Sequence, residues 1–196
     1  INHDLELTFR YQWSSSNTFG FVKKSKLINT GSGAVRVSLL DGIQNIMPAS
    51  IGSDEQNQSS NLVDAYKRNE LEEATGLGIF ALSAILVDKA EASEALRANI
   101  VWSIGLDNPK HLLSSLQLND FRLGKSLEQE VDIKAEKGAY FLTTDIFLEK
   151  KSSKEWMLVA NVNQNHSSIA KLSKQIKEDS CLLDKVNDDI NLGTKR

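Results

Sequence analysis

The clearest alternation of apolar and polar positions opens the chain. Leu5, Leu7, Phe9, Tyr11 and Trp13 alternate with Glu6, Thr8, Arg10 and Gln12, which predicts a strand with one clean apolar side. After Ser14-Ser15-Ser16-Asn17, a second strand-like run spans about Phe19 to Ile28, and Asn29-Thr30-Gly31-Ser32-Gly33 turns the chain. Val35, Val37 and Leu39 then alternate with Arg36, Ser38 and Leu40. Asp41-Gly42 is expected to break this third strand, because Gly42 can take a positive φ and Asp41 can bond its own downstream backbone. Three strands joined by short turns predict an antiparallel meander. The turn is unusually polar for its place, with Gln44 and Asn45 between Ile43 and Ile46 and Pro48 fixing the exit. Asp41, Gln44 and Asn45 are therefore expected to bond backbone of the loop that follows, or of a domain outside this chain.

Ala49 to Ser60 is polar and without period, and reads as a long loop; Asn61 to Glu73 is mixed. Gly76 to Val87 and Asn99 to Gly105 are apolar enough for buried strands. Asn108-Pro109 opens a window in which Leu112, Leu113, Leu116 and Phe121 have helical spacing, with Gly124 placed to end it. Strands return at about Val131 to Ala135, Gly138 to Leu148 and Glu155 to Val162. The last segment differs in kind. Ile169, Leu172, Ile176, Leu183, Val186 and Ile190 form one helical stripe, interrupted near Asp179 or Ser180, with Ser167 or Ser168 to cap its start and Gly193 its end. These patterns predict a mainly β fold with a short inserted helix, a sandwich domain over 1–165, and a helix over 166–196 whose stripe is expected to be covered by protein outside this chain.

Composition narrows the function classes. The 196 residues carry 25% charged and 40% hydrophobic residues, with 11 glycines and 2 prolines, an ordinary globular balance. A net charge of −3 with scattered basic residues argues against nucleic acid or an anionic membrane as partner. No apolar run approaches the roughly 18 residues of a membrane span, so a soluble chain is expected. The single cysteine, Cys181, excludes an internal disulfide framework, and compartment stays open. A chain opening at Ile1-Asn2-His3 reads as a piece of a longer protein.

Candidate chemistry is sparse. Gly76-Leu77-Gly78-Ile79-Phe80-Ala81 fits the G-x-G-x-x-A fingerprint, but no strand precedes it and no helix pattern follows, so nucleotide binding is not expected. Gly124-Lys125-Ser126 lacks the earlier P-loop glycine, since position 119 is Asn119. His3, His111 and His166 have no metal-ligand spacing, and no metal or cofactor is expected. Carboxylates are numerous from Asp41 through Asp54, Glu55, Asp64, Glu70, Glu72, Glu73, Asp88, Glu91 and Glu94, and most read as solvated surface. Asp64, Tyr66, Lys67 and Arg68 stand apart, in a charge-alternating stretch suited to an internal salt network, an interdomain contact or a polar rim near a ligand. The tryptophans Trp13, Trp102 and Trp156 are expected in the core because each falls within a strand pattern, although exposed aromatics could stack on a sugar.

Three blocks carry a family resemblance: Leu40-Asp41-Gly42-Ile43-Gln44-Asn45-Ile46-Met47-Pro48, Ser60-Asn61-Leu62-Val63-Asp64-Ala65-Tyr66-Lys67 and Ala98-Asn99-Ile100-Val101-Trp102-Ser103. With Gly138-Ala139-Tyr140-Phe141 and the terminal helix, they make the chain resemble the N-terminal domain of large carbohydrate-active proteins related to cellobiose phosphorylase. The resemblance implies an antiparallel β-supersandwich of galactose-mutarotase type, with residues 166–196 as a linker helix leading to an (α/α)6 catalytic barrel beyond Arg196. It implies a non-catalytic role for this domain, packing on the barrel and bordering its sugar site, with homodimerisation through the sandwich as a further expectation. The histidines do not present the mutarotase catalytic pattern, so no catalytic residue is carried over. Asp41, Gln44, Asn45, Asp64, Tyr66, Lys67 and Arg68 are the residues expected at a carbohydrate or interdomain contact, and a stand-alone carbohydrate-binding module is the alternative.

Overall fold

Residues 1–49, 51–84 and 97–194 are described by a computed structural model. Along the chain run β1 (Leu7–Ser16), β2 (Gly20–Asn29), β3 (Val35–Ile46), α1 (Ser53–Gln58), α2 (Ser60–Tyr66), β4 (Lys67–Glu72), β5 (Leu77–Leu82) and β6 (Arg97–Ile104). They are followed by β7 (Lys110–Leu112), α3 (Leu118–Arg122), β8 (Asp132–Lys134), β9 (Gly138–Leu148), β10 (Ser153–Asn165), α4 (His166–Glu178) and α5 (Leu182–Thr194). The strands form a seven-stranded sheet ordered β1-β2-β10-β6-β5-β4-β8 and a three-stranded sheet ordered β3-β9-β7, antiparallel throughout. The fold is mainly β and sandwich-like.

Side-chain alternation on β10 shows how the layers arise. Trp156 and Leu158 enter the core between the sheets, with Leu27, Leu39, Val101, Tyr140 and Leu142. Met157 and Val159 point the other way and join Phe19, Val22, Ile100 and Trp102 in a second core. A strand buried on both faces needs a continuous apolar run, which is what Trp156 to Val159 supplies. The small sheet covers the first face. The terminal helices cover the second, with Ile169, Leu172 and Ile176 of α4 and Leu182, Val186 and Ile190 of α5 packed on it.

This corrects the expectation of one helix whose stripe is covered by protein outside this chain. The stripe is filled by the chain's own large sheet, and the helix is two helices broken around Asp179, whose carboxylate accepts a hydrogen bond from Cys181 N at 3.1 Å. The break moves the buried position from Leu183, which is exposed, to Leu182. Asn165 rather than a serine caps α4, accepting from Ser168 N at 2.9 Å. Polar ties hold both helices to the sheet: Lys177 Nζ and Ser173 Oγ donate to Glu72 at 2.9 and 3.2 Å, and Ser16 Oγ and Thr18 N donate to Asp189.

Three further expectations change. The meander stops at β2, because β3 crosses to the small sheet and pairs with β9. Asp41-Gly42 is not a turn but the interior of β3, where a Cβ on Gly42 would stand 2.2 Å from the Tyr140 carbonyl oxygen. The kink comes later, at Asn45, whose φ of 57° sits at the register shift between Gln44 and Ile46. The Ala49 to Ser60 loop contains α1 and the start of α2, and the helical window after Pro109 begins as β7 with only Leu118–Arg122 helical. The end of the Gly76 to Val87 run, with Asp88, Glu91 and Glu94, lies outside the described residues, as does the end of the 166–196 segment.

Candidate functional site

The residues expected at a binding or interdomain contact do not form one cluster. Asp41 points between the sheets and accepts from the Lys23 ammonium, from Ser25 Oγ at 3.0 Å and from Trp156 Nε1 at 2.8 Å. Gln44 donates to Ser115 Oγ at 2.9 Å. Among the described residues neither is seen to bond the backbone of the 49–60 loop, so the loop-anchoring half of that expectation is corrected. Strand alternation then divides the charged stretch. Lys67 points inward and donates to Asp64 and Gln56, both at 2.7 Å, whereas Arg68 points outward to Asp132 at 3.0 Å and Glu70 at 3.0 Å. Tyr66 is half-buried, and its carbonyl accepts from Ser83 N at 2.8 Å. Burial disfavours ionisation of Asp64, but hydrogen bonds from Lys67 and Gln56 with the charges of Lys67 and Lys137 outweigh it and hold the carboxyl below the usual carboxylate range. Asn45 and Lys67 do meet, with Lys137, Gln56 and Asn57, around a polar surface pocket of about 300 Å³.

The larger unexplained surface is aromatic. Phe9, Tyr11 and Trp13 on β1 are 41, 60 and 50% exposed, and Phe21 on β2 is 53% exposed, which overturns the core placement of Trp13; Trp102 and Trp156 are each only 1% exposed. Register gives the orientation. Phe9 lies opposite Leu27, Tyr11 opposite Ser25, Trp13 opposite Lys23 and Ser15 opposite Phe21, and directly opposed residues share a face. Leu27 is in the core between the sheets, and Ser25 and Lys23 both bond Asp41 of the small sheet. The aromatics of β1 therefore stand on the inter-sheet face.

They are exposed because the small sheet ends too soon. β3 is its last strand and rests over β2 and β10, so among the described residues no strand of the small sheet reaches over β1. The shelf continues the core laterally: the Phe9 ring lies 6.0 Å from that of Trp156 at 28°, the Tyr11 ring 6.0 Å from Phe9, and the Lys23 ammonium 5.7 Å from the Tyr11 centroid. Beside it runs the outer edge of β3, which pairs with no further strand among the described residues. Sequence periodicity marked the apolar side of β1, but coverage depends on how many strands the opposing layer has, and no local signal carries that number.

Elsewhere, apparent chemistry resolves into structure. A Cβ on Gly76 would stand 2.5 Å from His111 Nε2 and one on Gly78 2.8 Å from the Tyr140 ring, so the G-x-G spacing is explained by close packing. Tyr140 Oη donates to the Gly76 carbonyl at 2.6 Å, and burial pushes its phenol up. Buried Glu130 accepts from Leu113 N at 2.7 Å, Ser114 N at 2.8 Å and Gln117 Nε2 at 2.9 Å. Among the described residues no group of three or more His, Cys, Asp or Glu side chains could hold a metal, and no helix is long and apolar enough to cross a membrane.

These groups set the acid response. Burial pushes His111 below its ordinary 6.5, against a hydrogen bond involving Gln129, so folding binds fewer protons there than unfolding does. Asp64, Glu72, Asp132 and Asp189 are likewise held below their ordinary values of 3.8 to 4.5. Lowered folded values contribute stability that is present above the unfolded value and lost as pH falls. Thermal melts should give a flat Tm from pH 8 to about 7, a small decline below about 6.5 as the unfolded-state histidine takes up protons, and a steep one below about 4. A Tm that rises on acidification from neutral pH would contradict these assignments.

The chain matches no known family model and no curated protein.

Proposed function

We propose that this chain is the non-catalytic β-sandwich domain of a glycoside phosphorylase or glycoside hydrolase, packing on an (α/α)6 catalytic barrel and bordering its sugar site. The observation that carries the packing role is the uncovered aromatic shelf, an interior-type sheet face with no layer over it among the described residues. Contiguous exposed apolar surface of this kind marks an interaction site. The carbohydrate context comes from the three sequence blocks that resemble the cellobiose phosphorylase relatives. The Asn45, Lys67 and Lys137 pocket supplies a polar rim suited to a sugar border.

A second reading, a stand-alone carbohydrate-binding module, is favoured by the exposure of Tyr11 and Trp13, whose rings could stack on a pyranose. Tryptophan fluorescence separates the two, because Trp13 is the exposed one of three tryptophans and its emission reports the shelf. Titration with gluco-oligosaccharides should give no saturable change. Saturation at micromolar concentrations would replace the first reading with the second.

A further inference from the structure

The pocket at Asn45, Lys67 and Lys137 is cationic in an acidic chain. Two lysines line its volume of about 300 Å³ and no carboxylate does, although the whole chain carries a net charge of −3. The buried member is Lys67, whose side chain is 3% exposed and whose ammonium donates to Gln56 Oε1 and Asp64 Oδ1, both at 2.7 Å. An ammonium has three N–H donors, so one is left without an acceptor among the described residues. Other polar groups around the pocket are equally unclaimed. Asn45, Asn57, Ser60 and Lys137 are exposed, line the pocket, and make no side-chain hydrogen bond or salt bridge among the described residues. Asn45 stands there because the bulge between Gln44 and Ile46 holds it at a φ of 57°, out of the alternation of β3.

Charge and size narrow the ligand. Asp64 neutralises Lys67, so the uncompensated charge of the lining is the single one on Lys137. One positive charge matches a monoanion, and a dianion would keep a charge unpaired. A volume of about 300 Å³ is at the low end for small-molecule sites and suits a body the size of one sugar ring. We propose that this pocket binds a monosaccharide-sized polar carboxylate, a hexuronate being the simplest, with its carboxylate between the Lys137 and Lys67 ammonium groups and its hydroxyls on Asn45, Asn57 and Ser60. The inference deepens the reading of this pocket as a sugar border by giving the bound group its charge, and rests on that reading for the sugar.

Isothermal titration calorimetry of this chain near neutral pH, with D-glucuronate, D-glucose, acetate and inorganic sulfate, tests it. Glucuronate should bind saturably, and the other three at least about tenfold more weakly, because glucose lacks the charge, acetate lacks the hydroxyls and sulfate carries a second charge. Lys137→Met should weaken glucuronate about tenfold and Lys137→Arg should retain it; the position is exposed, so both variants should fold. Asp64→Asn keeps an acceptor for Lys67 but removes the compensating charge, and should tighten glucuronate and admit sulfate. No saturable heat with glucuronate overturns the inference. So does glucose, acetate or sulfate binding as tightly as glucuronate, and so does a Lys137→Met variant that binds like wild type. A folded Asp64→Asn variant with no gain in affinity would also overturn it. Failure here leaves the packing role of the aromatic shelf standing, and a shelf that stays open in the complete protein would leave this site standing.

Discussion

Replacing Asp41 with alanine is expected to cost about 3–5 kcal/mol, a large fraction of a domain's stability. Asp41 and Lys23 are an ion pair with side chains only 10% and 9% exposed, held between the two sheets. The same carboxylate accepts from Ser25 and from the Trp156 indole, so its removal leaves a buried ammonium, a hydroxyl and an indole N–H short of partners at once. Asp41→Asn keeps acceptors for Ser25 and Trp156 but not the charge, and should fall between wild type and alanine. The double variant Lys23→Met with Asp41→Leu removes both charges and should recover part of the loss, because an apolar pair of similar size can replace a buried ion pair. Urea denaturation followed by far-ultraviolet circular dichroism measures all four. A loss under about 1 kcal/mol for Asp41→Ala would mean that the pair is open to water and that β3 does not close over β2.

Ending the chain at Asn165 should have a still larger effect. Deletion of α4 and α5 removes Leu182 and Val186, both fully buried, together with Ile169, Leu172, Ile176 and Ile190, and opens Phe19, Trp102, Met157 and Val159 to water. At roughly 1.5–3 kcal/mol for each fully buried large aliphatic side chain, Leu182 and Val186 alone account for several kcal/mol. The truncated chain is expected to lose its cooperative unfolding transition and to bind a hydrophobic dye. Cooperative unfolding with unchanged midpoint would instead show that the two helices contribute nothing to the stability of the sandwich.

What the sequence disclosed, and what it withheld, follows from the range of each signal. Gly138 to Leu148 is a strand with the boundaries its pattern suggests, because its apolar runs and the glycine that opens it are local signals. The helical stripe near the C-terminus was also legible, but its partner was not: 3.6-residue periodicity shows that a face is apolar, while the sheet that covers it comes from strands far apart in the chain. Gly42 illustrates the same limit. A glycine after an aspartate reads as a turn, yet here it permits close approach of the Tyr140 backbone from a strand about a hundred residues later. The shelf was hidden for the opposite reason, since nothing along β1 records that the facing sheet has three strands rather than four.

The candidate site was correspondingly hard to read. Asp41 was conspicuous in sequence, but its polar partners belong to the buried network between the sheets. Lys67 and Arg68 are adjacent in sequence and opposed in space, because successive residues of β4 face opposite sides. Phe9, Tyr11 and Phe21 were absent from the expected contacts, although they form the broadest exposed aromatic surface among the described residues.

Hydroxyl-radical footprinting of Tyr11, Trp13 and Phe21, in the isolated chain and in the protein encoded by the complete gene, tests the supporting role most directly. All three side chains should oxidise readily in the isolated chain and several-fold more slowly in the complete protein, where the shelf is packed. Equal oxidation in both would show that the shelf stays open to solvent, and would contradict the account of this chain as a domain that supports another body through that face.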